Sequence, residues 1–250
     1  MSRPSRAAVT EWLFDLGNTR LKFAPLQADG TPGEVLAHAH EGTEGSVRAI
    51  DLPSGDVAHV ASVASSAATT ALLDRLTQRF ARMQVPRTLA RCGELRIAYA
   101  EPARLGVDRF LAMLAARART QAPFVVVAVG TALTLDLVDG EGRHRGGRIA
   151  PSPALMREAL HARAAQLPRE GGAYAEFAAD TDDALASGCE GAALALIERS
   201  LTQAQALLGG TPALLLHGGG APDLLARLPQ AEAVPALILE GLARWARIGA

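Results

Sequence analysis

The sequence predicts an α/β protein made of two related halves, and three observations predict it. A strand, a glycine turn and a second strand run from Glu11 to Leu26, and the same order returns from Phe124 to Val138. Each occurrence leads through a Gly-containing turn to a third extended piece, so each half opens with an antiparallel meander. Each meander then passes into alternating helices and strands. The arrangement implies two mixed sheets with flanking helices, with Gly17 and Gly130 both aimed into a cleft where a nucleotide fits. At 250 residues the chain is long enough for two ordinary domains. The boundary is expected between residues 118 and 119, giving domains 1–118 and 119–250, with the last helix able to pack back on the first domain.

In the first half, Trp12, Leu13 and Phe14 mark one strand and Leu21 to Leu26 the next. An Asp29-Gly30 turn leads to a third at Val35 to His38, and Val57 to Val63 reads as a fourth. Ala67 to Ala81 places Ala68, Leu72, Leu73, Leu76 and Phe80 at helical spacing. A short strand is expected around Thr88 to Ala90, then an irregular segment from Cys92 to Leu105. Phe110, Leu111, Leu114 and Ala118 share one face of a helix that ends before Pro123. In the second half, Phe124 to Val129 and Leu133 to Val138 are strands about Gly130-Thr131, and a third strand ends at Arg148-Ile149. A helix follows from Pro153 to Ala165. Asp180 to Leu208 reads as a helical region interrupted near Gly188 and Gly191. Ala213 to Leu216 is a buried strand entering Gly218-Gly219-Gly220, with short and long helices at Asp223 to Leu228 and Pro235 to Ile248.

Composition excludes several classes of function. The chain is 49% hydrophobic and 20% charged with a net charge of −1. It has no basic block to attract nucleic acid or an anionic membrane. Met1 to Thr10 carries two arginines and no apolar core, so it is expected to be a frayed tail and not a secretory signal. The most apolar run, Phe124 to Leu135, is too short to span a bilayer. Cys92 and Cys189 lack metal-ligand spacing, as reduced cytosolic thiols do. The expected location is the cytoplasm.

The stretch that carries chemistry is Asp15-Leu16-Gly17-Asn18-Thr19-Arg20-Leu21-Lys22, between two strands. Gly17 lets the backbone approach a bulky anion, the turn's N–H groups with Asn18 and Thr19 donate to phosphate oxygens, and Lys22 adds a point charge. Asp15 is then the metal side of this cradle. Lys22 is the only lysine and Asn18 the only asparagine of the chain. Arginine is plentiful, so position 22 reads as one where a planar guanidinium is a poor substitute. The alternative is a plain hairpin with an Asn turn. Gly218-Gly219-Gly220 reads either as a nucleotide-binding turn before a helix or as an ordinary glycine-rich connection. Asp108 reads either as a general base or as the N-cap of a helix starting at Arg109. Thr131 is a phosphate donor or a hairpin threonine. Asp136 faces the cleft with Thr134 or caps a strand end. The six histidines show no metal spacing and read as surface or satisfied core.

The chain lacks Gly-x-x-x-x-Gly-Lys-Ser/Thr and a post-strand Gly-x-Gly-x-x-Gly, so P-loop and Rossmann readings lose their main support. Its signatures are Asp15-x-Gly17-Asn18-Thr19-x-x-Lys22, Tyr99-x-x-Pro102 leading to Gly106-x-Asp108-Arg109, and Gly130-Thr131-Ala132-x-Thr134-x-Asp136. Gly146-Gly147-x-Ile149-x-Pro151, Thr181, Gly218-Gly219 and Glu240-Gly241-Leu242 follow. In this order they closely resemble the type III pantothenate kinase family, within the superfamily of acetate and sugar kinases, heat-shock proteins and actin. The resemblance covers nearly the whole chain and implies two ribonuclease H-like, actin-like ATPase domains. It implies transfer of the ATP γ-phosphate to pantothenate, giving 4′-phosphopantothenate at the entry to coenzyme A synthesis, with Mg²⁺ and a homodimer. It also implies that Asp108 is the base, that Asp15 through Lys22 and Thr131 hold ATP, and that Tyr99, Gly106, Val107, Asp108, Arg109 and Thr181 surround pantothenate, with Thr181 near the subunit boundary. Two positions depart from the family pattern: Glu101 replaces an Asn, and Ala128 replaces an Asp that helps hold K⁺ or NH₄⁺ beside the second cradle. Rival readings are another small-molecule kinase or phosphatase of the superfamily and an accessory factor for virulence-gene expression.

Overall fold

The structure is a computed structural model that describes residues 9–40 and 42–248. The expected amino-terminal tail lies outside the described residues apart from Val9 and Thr10. The chain divides into two compact units: Met1–Gly93 with Glu101–Ala115 and Ile238–Ala250, and Glu94–Ala100 with Ala116–Leu237. The last helix therefore belongs to the first unit, while the segment carrying Tyr99 belongs to the second.

The first unit contains β1 (Glu11–Leu16), β2 (Arg20–Pro25), β3 (Leu36–Ala39), α1 (Glu44–Arg48), β4 (Gly55–Ser62), α2 (Ser66–Thr77) and β5 (Phe80–Gln84). Its sheet has the order β3-β2-β1-β4-β5, with β1–β2 and β2–β3 antiparallel and β1–β4 and β4–β5 parallel. The central β1 is buried on both faces, which explains its continuous apolar run. Phe14 and Leu16 pack with Leu21, Phe23, Val60, Leu72 and Leu76 under α1 and α2. By the alternation of a strand, Leu13 and Asp15 face the other way. Ser65 caps α2, its Oγ accepting from the Ala68 N–H at 3.2 Å. The helix stops at Thr77 and not near Ala81. Phe80 matches the helical spacing, but it enters β5 opposite Gly55 and reaches the same core from a strand. The expected strand at Thr88 to Ala90 is absent. That stretch is irregular, and buried Thr88 donates its hydroxyl to the Leu105 carbonyl at 2.8 Å.

Short strands β6 (Arg91–Cys92) and β7 (Leu95–Arg96) precede α3 (Val107–Arg119). The second unit holds β8 (Phe124–Val129), β9 (Ala132–Val138), β10 (His144–Pro151), α4 (Pro153–Arg163), α5 (Thr181–Leu208), β11 (Ala213–His217), α6 (Ala221–Leu225) and β12 (Ala231–Ala233), and α7 (Leu237–Ile248) closes the chain. The second sheet has the order β10-β9-β8-β11-β12, antiparallel through the meander and parallel beyond it. Each sheet thus has the ribonuclease H-like arrangement. Val125, Val127, Leu133 and Leu135 meet Leu194 and Ile197 of α5 on one face. The expected breaks at Gly188 and Gly191 do not occur, and α5 is continuous over 28 residues. A helical glycine costs about 1 kcal/mol relative to alanine. Capping offsets part of that cost: Asp180 accepts from the Asp183 N–H at 2.9 Å, and Gly209 ends the helix at φ +71°.

Candidate active site

The first turn is closed by the Gly17 N–H donating to the Arg20 carbonyl at 2.9 Å. Asn18, Thr19 and Arg20 are exposed, which leaves their amide and hydroxyl donors open to an anion. Leu16 and Leu21 face each other across β1 and β2 and are fully buried. Their side chains belong to the core, so only their main chain is available to a phosphate. One residue that sequence reasoning left unassigned holds this turn: His40, buried behind it. The Gly42 N–H donates to His40 Nδ1 at 2.9 Å, which leaves the ring proton on Nε2, and Nε2 donates to the Gly17 carbonyl at 3.0 Å. The His40 N–H donates to the Thr19 carbonyl at 2.9 Å as well. No spacing rule links His40 to a turn twenty-three residues earlier.

Asp15 faces Lys22 across the pair β1–β2. Burial pushes the Asp15 carboxyl up to about 7; the Lys22 ammonium pulls it down, and Asp108 pushes it further up. These three charged groups therefore form one electrostatic neighbourhood. Asp108 lies inside the first turn of α3, which begins at Val107, so it is not the N-cap of a helix starting at Arg109. A carboxylate is favoured there by the helix dipole. Gly106 leaves room for the carboxylate in this orientation: a β-carbon at 106 would stand 2.5 Å from Asp108 Oδ1 and would turn that side chain aside. Arg109 is buried next to it and Val107 half-buried. Gly241 of α7 lets that helix touch the α3 backbone at Leu111, where any β-carbon would overlap main-chain atoms. The helix that presents Asp108 is thereby held at close range.

In the second unit, the Gly130 N–H donates to the Ala132 carbonyl at 3.0 Å, and Gly130 and Thr131 are exposed. The Thr131 carbonyl accepts from Ser152 Oγ at 3.0 Å, and the same oxygen caps α4 by accepting from the Leu155 N–H at 3.2 Å. Gly218 has φ +100° and lies against the Val129 backbone, while the Gly220 N–H donates to the Val129 carbonyl at 3.0 Å. The triple-glycine loop therefore abuts the strand that ends in the second turn. The helix after it, α6, has only five residues. Ala128, two residues before Gly130, pairs with Thr134. Asp136 is mid-strand, not a strand-end cap, and its Oδ1 accepts from His144 Nε2 at 2.9 Å. Tyr99 stacks on His144 with ring centroids 6.0 Å apart. Thr181 is exposed at the start of α5 and lines a cavity of about 450 Å³ with Asp180, Ala178 and Leu167. The structure thus groups Asp15, Lys22, Gly106, Asp108 and Arg109 in the first unit, and assigns Tyr99, Thr131 and Thr181 to the second. Among the described residues no group of three or more His, Cys, Asp or Glu side chains is placed to hold a metal ion.

Comparisons with known proteins agree over almost the whole length. Residues 12–203 match the family described as type III pantothenate kinase. A type III pantothenate kinase of Stenotrophomonas maltophilia is 61% identical over 240 residues, covering 95% of this chain and 98% of its own. One of Xanthomonas campestris pv. campestris is 60% identical over 240 residues with the same coverage. Among solved structures, a conserved putative Baf family transcriptional activator from Campylobacter jejuni superposes with a TM-score of 0.63 at 19% identity, over 94% of this chain and 97% of its own. A putative 2-dehydro-3-deoxygalactonokinase from Sinorhizobium meliloti gives 0.56 at 16% identity, over 95% and 98%. These two likenesses establish the fold.

Proposed function

The chain belongs to the type III pantothenate kinase family, and from that premise we propose how its residues divide the work of phosphoryl transfer. It is an ATP-dependent kinase that phosphorylates pantothenate. The observation that carries the reading is the joint neighbourhood of Asp15, Lys22 and Asp108 on the first unit. In phosphoryl transfer the protein mainly positions reactants and stabilises charge. Asp108 orients the attacking hydroxyl of pantothenate and accepts its proton. Gly17, Asn18 and Thr19 donate to phosphate oxygens, with Lys22 as a compact positive charge, and Thr131 donates from the second turn. Arg109 offers its guanidinium fork to the pantothenate carboxylate, with Tyr99 and Thr181 as further contacts.

The residues present fit Mg²⁺. A buried carboxylate held near neutrality by desolvation and by a second carboxylate is relieved by a divalent cation. Mg²⁺ is commonly bound by one or two carboxylates together with substrate phosphates, which suits a site without a three-ligand protein cluster. Asp15 would hold it, and when bound it would neutralise charge on the phosphates. For the assembly we propose a homodimer: an apolar groove of about 690 Å³ between α4 and α5, lined by Leu155, Met156, Leu160, Leu185 and Gly188, opens close to Thr181 and suits a second copy. A cytoplasmic location fits its substrates; no helix among the described residues is long and apolar enough to cross a membrane. A coupled ATP-consumption assay tests the activity. Consumption that depends on added pantothenate is expected; consumption indifferent to it would overturn the substrate assignment.

A further inference from the structure

Tyr99 is carried by a strap, Glu94–Ala100, that folds with the second unit. The strap is fastened to α3 at its start and to the β9–β10 hairpin beyond it. The Glu94 carboxylate accepts from Arg117 Nε at 3.1 Å, Leu95 is fully buried, and the Arg96 N–H donates to the Gly142 carbonyl at 2.9 Å. Gly142 has φ +75°, and a β-carbon there would overlap the Glu94 carbonyl, so hairpin and strap meet backbone to backbone. At the far end the Tyr99 ring lies on the His144 ring, 18° from parallel, and the Ala98 N–H points at His144 Nδ1 from 3.5 Å. That direction leaves the ring proton on Nε2, which donates to Asp136 Oδ1 at 2.9 Å. The His144 and Asp136 side chains are 0% and 2% exposed.

A fully buried carboxylate and imidazole are an unusual choice for a platform under an aromatic ring. Well-packed apolar residues serve stability equally well, because burying the polar pair costs its hydration. What the pair adds is direction: a hydrogen bond to one ring nitrogen fixes the tautomer and the plane of the imidazole. The hairpin is shaped to supply it. His144 stands opposite Val138, which shares a face of β9 with Asp136, and the pairing then slips by one residue before Gly146. Gly146, at φ +109°, provides the left-handed conformation beside that bulge.

We propose that the Asp136–His144 pair is a positioning device for Tyr99, and that through it the second sheet sets the affinity for pantothenate without touching the affinity for ATP. The proposal rests on the reading of Tyr99 as a pantothenate contact. Asp136 and His144 act through Tyr99 and are positioning residues, not catalytic ones. A small displacement of a substrate-holding group is enough to cost an enzyme one to two orders of magnitude.

The test compares Tyr99→Leu, Asp136→Asn and the double variant Asp136→Leu with His144→Leu, which leaves no lone buried charge. Apparent KM for each substrate, kcat and Tm are measured on the full chain. In the double variant the pantothenate KM is expected to rise about ten-fold or more while the ATP KM stays within about two-fold. Asp136→Asn keeps an acceptor for Nε2–H and is expected to recover most of the wild-type value. Should the double variant not fold, His144→Gln carries the same test, since it keeps a donor toward Asp136 but puts no ring under Tyr99. A raised pantothenate KM in Tyr99→Leu with an unchanged one in the double variant, or in His144→Gln, overturns the proposal alone. An unchanged KM in Tyr99→Leu overturns it together with the reading of Tyr99, and an equal rise for both substrates shows a merely structural role.

Discussion

The two glycine turns are built on one plan and filled with opposite chemistry. In each, a strand of the meander ends one residue before the glycine, and one buried side chain grips a turn carbonyl: His40 holds that of Gly17, and Ser152 holds that of Thr131. Two residues before the glycine the plans diverge. The first turn pairs Asp15 with Lys22 across its strands, whereas the second pairs Ala128 with Thr134. The first also stands in the field of Asp108, while both turns carry an exposed threonine, Thr19 and Thr131. The two halves thus share the way the turn is held in shape, while the charged side chains beside it are concentrated in the first.

The comparison breaks most sharply at Asp108. If the first unit holds the chemistry, Asp108→Asn should lower kcat about 1,000-fold, because the proton acceptor is lost in the transition state. Nucleotide affinity, measured by calorimetry, should stay close to wild type. Near-normal turnover would remove the base from the first unit.

Asp15 gives a stability signature that Ala128 cannot. Its folded pKa of about 7 lies above the ordinary 3.8, so the folded state keeps a proton that the unfolded chain has released. Stability associated with this group is fully present below about pH 4, falls as pH rises toward 7, and is constant beyond. Asp15→Asn abolishes that loss. The nucleotide-free variant should match wild type near pH 4 and exceed it at pH 8 by roughly 2–4 kcal/mol, less what Lys22 forfeits by losing its partner. Thermal melts across this range decide the point; parallel pH slopes would place Asp15 in a solvated setting.

Lys22→Arg keeps the charge and changes its shape. The strand pair holds Lys22 opposite Asp15. Turnover is expected to fall roughly 10- to 100-fold, and Thr134→Val on the corresponding position of the second hairpin to cost far less. Equal losses at both would mean that the two turns share the work evenly.

Much of this was legible in the sequence, for identifiable reasons. The meanders were readable because their strands are short, apolar and punctuated by glycine turns, and the solitary Lys22 drew attention to the strand pair in which it faces Asp15. Phe80 misled because a residue that fills a core at helical spacing fills it as well from a strand. Gly188 and Gly191 misled because a well-capped, 28-residue helix absorbs the cost of two glycines. The contacts of His40, Ser152 and His144 were invisible in the sequence: each is made by the fold, at separations of 23, 21 and 8 residues, and no local pattern encodes such a contact. Asp136 looked free to face a ligand until its partner was known.

The smallest expected effect lies at Ala128. The family resemblance implies an aspartate at this position that helps hold a monovalent cation, and here a half-buried methyl group stands in its place, opposite Thr134 and beside His217. Asp136 is the carboxylate on the same face of the hairpin, two residues further along β9, and its Oδ1 accepts the His144 hydrogen bond. Drawing it toward an ion would pull it from that buried donor, so it is a poor replacement. Losing a carboxylate removes the one negative charge that the resemblance puts beside this turn, which weakens attraction for a cation. Turnover of the wild type should therefore change little when K⁺ replaces a large inert cation at fixed ionic strength, and Ala128→Asp should gain a saturable, few-fold activation. Strong activation of the wild type by low millimolar K⁺ would show that the second turn carries a cation site after all, and that the contrast between the two turns is one of charge placement and not of charge.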